Sequence, residues 1–345
     1  MTTYRLGVAS MVHDHVWSEL RHWSQFLNVQ IVAAGDANPP LCEKIQAEYG
    51  VSALYEDPVE MINKEELDLV QAGSANAKAA DIVEAAAAKG VHVISEKPMS
   101  ARLSEADRML KAIEQSGTKL LINWPNIWSP AFQTMDRMVT EGAVGEPFTI
   151  KYRAAHNGPK EIGCSEYFWK WLYDEELNGA GALMDYCCYG ASMCAHWLGR
   201  ARSCMGVRGV LVKDYAVPDD NAMILAKYDN AFGVCEASWT QRVGSLGPNP
   251  VVYGTEGAIG LEGGQLKLWK PGSTPKAIEP QVIEPDDVPE GFRNGPEHLI
   301  YCIENDCEPK GIANAVTSRN AQEILEAGLV SARTGAEASI PLRSG

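Results

Sequence analysis

The 345-residue chain contains no run of eighteen apolar residues, so nothing in it reads as a membrane-spanning helix. Its first residues, Met1-Thr2-Thr3-Tyr4-Arg5, lead straight into a strand-like segment without the charged region, apolar stretch and cleavage site of a secretory signal. A cytoplasmic, unprocessed protein is the expectation. Clustered lysine and arginine are also lacking: 30 basic residues stand against 45 acidic ones, giving a net charge of -15. Binding a nucleic-acid backbone requires such clusters, so no nucleic-acid partner is expected and the acidic surface serves solubility. Among nine cysteines no Cys-x-x-Cys pair occurs, which argues against both a disulfide framework and a zinc site. Cys187, Cys188, Cys194, Cys204, Cys235 and Cys302 are flanked by apolar residues and read as reduced core positions. Cys187, Cys188, Cys194 and His196 lie on one predicted helix but point in different directions, so no metal is expected.

What the chain does have, in its first third, is an alternation of apolar strands and amphipathic helices. Strands are predicted over Tyr4 to Ser10, Asn28 to Ala34, Leu67 to Ala72, Val91 to Ile94 and Thr118 to Asn123. Helices are predicted over His15 to Phe26, Leu41 to Tyr49, Asn76 to Ala88 and Ser104 to Gln115, the last opened by a capping Ser104 with an acid three residues on. This order specifies an α/β, doubly wound parallel sheet of the nucleotide-binding kind over residues 1–123. After Asn123 the composition changes, and residues 124–345 read as an α+β domain. A helix over Pro130 to Glu141, a strand over Pro147 to His156 and a long helix over Ala180 to Leu198 precede strands at hairpin spacing: Arg202 to Lys213, Asn221 to Tyr228, Ala231 to Thr240, Val251 to Tyr253, Ala258 to Leu261 and Gln265 to Trp269. Such a meander builds an open, mostly antiparallel sheet with one face covered by helix. The Gly244 to Pro250 loop and the Pro271 to Arg293 stretch are predicted to be mobile.

Chemistry concentrates at two places. Glu96-Lys97-Pro98 follows the strand Val91 to Ile94 directly, and the carboxyl end of a strand is where a doubly wound sheet binds ligands. In Gly179-Ala180-Gly181-Ala182-Leu183-Met184-Asp185-Tyr186-Cys187-Cys188-Tyr189, Asp185 and Tyr189 are one helical turn apart and share a face. Lysine, carboxylate and phenol are the groups hydride transfer from an alcohol needs, to accept the hydroxyl proton and to stabilise the developing alkoxide.

These residues carry a resemblance. The chain resembles the glucose-fructose oxidoreductase, inositol dehydrogenase and rhizopine catabolism protein (Gfo/Idh/MocA) family, marked by Glu-Lys-Pro after the fifth strand and a later Gly-Gly-Gly-x-x-x-Asp-x-Gly-x-His. The second mark reads here Gly179-Ala180-Gly181, Asp185, Cys187 and Tyr189, with tyrosine in place of histidine. Tyr253-Gly254-Thr255-Glu256-Gly257 is similar to the family's Tyr-Gly-Thr-x-Gly turn, and the end from His298 to Leu342 to its terminal helices and last strand. The resemblance implies an NAD(P)-dependent oxidoreductase working on a hydroxyl or carbonyl of a sugar, polyol or related cyclic compound. Lys97 and Tyr189 would move the proton and Asp185 would orient the substrate. It also implies that the uncovered face of the second sheet joins subunits in a homodimer or homotetramer.

Where the family carries a glycine-rich loop after its first strand, this chain has none: Ser10, Val12 and His15 occupy the three glycine positions. Val12 is the most awkward, being β-branched where a phosphate lies. Asp36, directly after the second strand, is placed to accept both ribose hydroxyls and to repel a 2'-phosphate, which favours NAD over NADP. Cofactor contacts are therefore expected from Ser10, Met11, Val12, His13, Asp36, Ser74, Asn76, Glu96 and Lys97. Trp124, His156, Trp169 and Trp171, with Asp185 and Tyr189, are the expected substrate contacts, because aromatic faces stack on sugar rings. Two other readings follow from the absent glycines and the family: a non-catalytic sugar or nucleotide sensor, and an NAD-dependent, redox-assisted glycosidase.

Overall fold

The computed structural model describes residues 3–244, 246–272 and 279–342; Ser245 and residues 273–278, within the two stretches expected to be mobile, lie outside them. The chain forms two compact units. The first comprises Met1–Trp124, Gly163–Gly179 and Asn294–Arg319, and the second Pro125–Ile162, Ala180–Arg293 and Asn320–Gly345.

The first unit is built on a six-stranded parallel sheet of β1 (Tyr4–Met11), β2 (Val29–Gly35), β3 (Ala53–Tyr55), β4 (Leu69–Gly73), β5 (His92–Glu96) and β6 (Leu120–Asn123). Their order is β3-β2-β1-β4-β5-β6. β4 and β6 are buried at every position, as strands covered by helices on both faces must be. The chain works outward from β1 to β3 and then returns to place β4 on the other side of β1. That reversal is the topological switch point beside which such sheets hold ligands. The predicted strands and helices form, with ends shifted by a few residues. The structure adds β3 and a helix at Pro58–Lys64, capped by the Asp57 carboxylate accepting from Val59 N at 2.8 Å. One detail is corrected. Ser104 lies inside the helix Leu103–Ser116, whose cap is Arg102 and whose third residue, Glu105, accepts from the N–H groups of Ala101 (3.1 Å) and Arg102 (3.0 Å).

A single cut after Asn123 leaves out two segments that the first unit contains. Asp14 accepts from Ser165 N (2.7 Å) and Ser165 Oγ (2.5 Å), and the helix that starts there, Glu166–Leu172, lays Phe168 and Trp171 against His13. Later in the chain Ser318 accepts from Trp124 Nε1 at 3.2 Å, and Arg319 pairs with Asp107 at 2.7 Å. Helix Gly295–Glu304, with Leu299 and Cys302 fully buried, supplies apolar cover that the first 124 residues do not contain.

The second unit holds a nine-stranded sheet. β7 (Pro147–Ala155), β8 (Ser203–Gly209), β9 (Asn221–Lys227), β10 (Phe232–Ser238), β11 (Val251–Gly254), β12 (Gly257–Glu262), β13 (Gln265–Trp269), β14 (Gln281–Ile283) and β15 (Ala338–Ser339) are ordered β14-β13-β12-β11-β7-β10-β9-β8-β15. β7 and β10 run parallel; the remaining pairs are antiparallel. β8 was expected to reach Lys213 but stops at Gly209. Beyond it the Asp220 carboxylate collects the N–H groups of Leu211 (2.7 Å), Val212 (2.9 Å) and Lys213 (2.8 Å), which turns the chain out of the sheet. The long helix Ala182–Leu198 packs on β7, β9 and β10 through small and sulfur-bearing residues, Cys187, Ala191 and Cys194, all fully buried. All nine cysteines are free. The other sheet face carries Met205 and Val207 of β8 directly opposite Leu225 and Met223 of β9, all exposed, with Phe232 of β10 further along.

Candidate functional site

In the first unit the expected cofactor residues lie at the carboxyl ends of β1, β2, β4 and β5. Ser10 adopts a left-handed backbone, φ 66°, the conformation that a glycine supplies at the same position of a dinucleotide loop. For a residue with a side chain this costs about 1 kcal/mol or more. The offset comes from Asp36, which is 3% exposed: its Oδ2 accepts from Met11 N at 2.6 Å and from Ser10 Oγ at 3.2 Å. Charge-assisted bonds of this type contribute about 1.5–3 kcal/mol each. Its Oδ1 accepts from Asn38 N and Asn38 Nδ2, both at 2.8 Å. Gly73 completes the turn, because a Cβ there would lie 2.8 Å from Ser10 O. The left-handed residue is thus Ser10 and not Val12, the position that looked most awkward in the sequence.

A second group forms around Glu96, buried with Lys97 at the end of β5. Glu96 Oε2 lies 3.1 Å from His15 Nδ1, while Oε1 accepts from Asn123 Nδ2 at 3.0 Å. His13 is 1% exposed and packs edge-on against His15, with Phe168 and Trp171 on its other sides. Burial, and then the nearby His15 and Lys97, hold its imidazole well below the ordinary histidine range, so it is neutral at pH 7. His13, His15 and Glu96 bring three donor atoms within 4.8 Å of one another, the set of a divalent-cation site. They are engaged with each other, however: His13 Nδ1 accepts from His15 N at 3.3 Å, and His15 Nδ1 faces Glu96. Lys97 is 2% exposed and joined to Pro98 by a cis peptide. Ser74 gives its hydroxyl to Ala75 O, and Asn76 donates to Asn178 Oδ1 at 2.8 Å.

In the second unit the N-terminus of the long helix is latched by Asp219, which is fully buried. Its carboxylate accepts from Gly181 N (2.9 Å) and Leu183 N (2.8 Å), and its carbonyl accepts from Ala182 N (3.1 Å). These are three of the donors that a helix start leaves without partners. Gly181 is needed there because a Cβ would stand 2.2 Å from Asp219 O. Asp185, 4% exposed in the first turn, accepts from Trp239 Nε1 at 3.2 Å. One turn on, Tyr189 is half-buried, its ring centroid 5.9 Å from Tyr152 and 6.0 Å from Tyr186. These three tyrosines, with Asn126 and Asn249, line a cavity of about 400 Å³.

The expected aromatic contacts divide. His156 is in the second unit, with its ring 4.7 Å from Tyr186 and its Nδ1 accepting from Gly158 N. Trp124, Trp169 and Trp171 belong to the first unit. Trp124 is 1% exposed and donates to Ser318, Trp171 donates to Val12 O at 3.4 Å, and Trp169 packs at a tilt against Tyr173. Tyr152, Tyr186, Asn249, Trp239, Asp219, Asn38 and Asn123 are site residues that the sequence did not single out. Only Tyr186 carried a signal, by standing between Asp185 and Tyr189.

The fit of a nicotinamide dinucleotide is uneven along this surface. Asp36 at the end of β2 and Lys97 at the end of β5 stand where such a domain meets the adenosine ribose and the reactive ring, but both Asp36 oxygens already accept from Ser10, Met11 and Asn38. The glycine turn is reproduced in backbone shape by Ser10.

Comparison with known proteins agrees with this layout. Residues 6–124 match the model of an oxidoreductase family with an NAD-binding Rossmann fold, and residues 132–260 match the GFO/IDH/MocA C-terminal domain. A D-apiose dehydrogenase of Paraburkholderia graminis is 31% identical over 151 residues, 43% of this chain and 39% of that protein. A D-xylose 1-dehydrogenase [NADP(+)] of Haloarcula marismortui is 26% identical over 254 residues, 70% of this chain and 66% of that one. The chain thus spans less than two thirds of either relative. Among solved structures, the WlbA dehydrogenase of Bordetella pertussis, in complex with NADH and UDP-GlcNAcA, superposes with a TM-score of 0.81 at 19% identity, covering 99% of both chains. A levoglucosan dehydrogenase in complex with NADH gives 0.79 at 18% identity over 99% of this chain and all of that one. With its N-terminal sheet matching one model and its C-terminal sheet the other, the chain belongs to the GFO/IDH/MocA oxidoreductase family.

Proposed function

We propose that this protein is an NAD-dependent oxidoreductase acting on the CH–OH or carbonyl group of a sugar, a polyol or a related cyclic compound. The observation that carries the reading is Lys97, a lysine 2% exposed at the carboxyl end of β5 in an NAD-binding Rossmann domain. The carboxyl end of a strand is where such a sheet binds ligands and does its chemistry. A bound NAD⁺ would supply the acceptor for the hydride of the substrate carbon. Lys97 takes up the hydroxyl proton as the neutral amine, or as the ammonium donates a hydrogen bond to the developing alkoxide, and Tyr189 serves in proton uptake only as the phenolate, because a phenol donates. Asp185, steadied by Trp239, accepts a substrate hydroxyl. The tyrosine-lined cavity of the second unit is large enough for a sugar ring, whose apolar face stacks on Tyr152, Tyr186 or Tyr189 while Asn126 and Asn249 take hydroxyls. Names among the relatives, apiose, xylose and inositol dehydrogenases, support this substrate class. Free thiols throughout support a reducing, cytoplasmic setting.

The test is a fluorescence titration with NADH and NADPH, read on the nine tryptophans. NADH is expected to quench them, and NADPH to bind less tightly because Asp36 repels a 2'-phosphate. Absence of any response at millimolar dinucleotide sinks the reading, and tighter NADPH binding removes only the role given to Asp36.

The same reading makes the exposed face of Met205, Val207, Met223, Leu225 and Phe232 the contact between copies, in a dimer or tetramer. Contiguous apolar patches of this kind rarely stay uncovered. Light scattering at micromolar concentration is expected to show the oligomer, and Val207→Glu combined with Met223→Glu is expected to dissociate it. A wild-type monomer defeats the assignment.

A further inference from the structure

The loop between β1 and the helix Val16–Trp23 has little backbone left to offer an anion. A dinucleotide loop works by aiming unused N–H groups at the diphosphate. Here six of the eight N–H groups from Met11 to Ser18 are given to partners inside the unit. Met11 N goes to Asp36, His13 N to Gly73 O at 3.0 Å and His15 N to His13 Nδ1. Val16 N, Trp17 N and Ser18 N go to the carbonyls of His13, Asp14 and His15. Asp14 itself is occupied by Ser165. With only the Val12 and Asp14 N–H groups left over, a side chain is needed to complete the cradle.

One side chain at this place has the right chemistry. His15 stands at the third glycine position, and its side chain is 34% exposed, in contrast to the buried His13. An ionised carboxylate only accepts, so the His15 Nδ1–H donates to Glu96, and Glu96 is in turn fixed by Asn123. A ring held in this way is oriented, and its protonated form keeps a second N–H donor at Nε2. Resting on the NAD reading, we infer that His15, oriented by Glu96, binds the diphosphate of the dinucleotide in place of the absent glycine loop. A histidine–carboxylate pair then does by a charge-assisted hydrogen bond what the family's glycines do with main chain.

The experiment compares wild type, His15→Ala and His15→Asn for binding of NADH, ADP-ribose and adenosine by fluorescence and calorimetric titration. Loss of one charge-assisted contact is expected to weaken NADH and ADP-ribose together by about 10- to 100-fold, with adenosine affinity unchanged because it lacks the diphosphate. His15→Asn covers the case in which alanine unfolds the loop, since asparagine is an accepted residue at the start of a helix; circular dichroism and melting temperature report folding. Wild-type affinity for ADP-ribose in a folded variant overturns the assignment while leaving NAD binding intact. A wild-type chain that binds neither NADH nor ADP-ribose removes the NAD reading and this inference with it.

Discussion

Replacing Lys97 with methionine is expected to lower turnover by about 10² or more, the usual range for a group that handles the reacting proton, while NADH affinity stays nearly unchanged. Methionine is the informative choice because Lys97 is 2% exposed. Alanine would leave a void and add a cavity cost of about 2–5 kcal/mol, mixing stability with chemistry. Methionine keeps most of the volume and removes only the ammonium. Steady-state kinetics beside an NADH titration separate the two effects. A Lys97→Met enzyme with normal kcat would show that the lysine is structural, and proton transfer would pass to Tyr189 or His156. Normal kcat/KM with weakened NADH would place Lys97 in cofactor binding alone.

Tyr189→Phe is expected to reduce kcat by a similar factor of about 10² if the phenol shares the proton. The substitution is clean because the ring, 5.9 Å from Tyr152 and 6.0 Å from Tyr186, keeps its neighbours when the hydroxyl is removed. Aromatic packing of this sort contributes about 0.5–1.5 kcal/mol, and phenylalanine retains it. The melting temperature should therefore hardly move. A variant with unaltered kcat and a raised KM would make Tyr189 a wall of the sugar cavity and nothing more. A drop in kcat with unchanged KM is the signature of a group that acts in the transition state.

The two substitutions also bear on how the site could be read from sequence. Lys97, Asp185 and Tyr189 stand out in the sequence because their signal is local: a strand end before proline, and one turn of helix. Asp36 was legible for the same reason, but its partners were not. That its Oδ2 would be taken by Ser10 and Met11 depends on β2 pairing beside β1, which no spacing reveals. Tryptophans were favoured for the sugar contact on residue type alone. The folded chain buries Trp124 and turns Trp171 onto His13, and it lines the cavity with Tyr152 and Tyr186, which reach it from β7 and the long helix.

Periodicity and composition by themselves determined the parallel sheet, the meander and the long helix, because strand and helix repeats are written into neighbouring residues. Only tertiary structure decided that a serine takes the left-handed turn and that His15 pairs with Glu96, 81 residues later. It likewise decided that Asp219 latches the helix bearing Asp185, and that residues 163–179 and 294–319 join the first unit. Each of these is a bond between groups far apart in sequence, and the free energy that selects it exists only once the backbone has brought the two together.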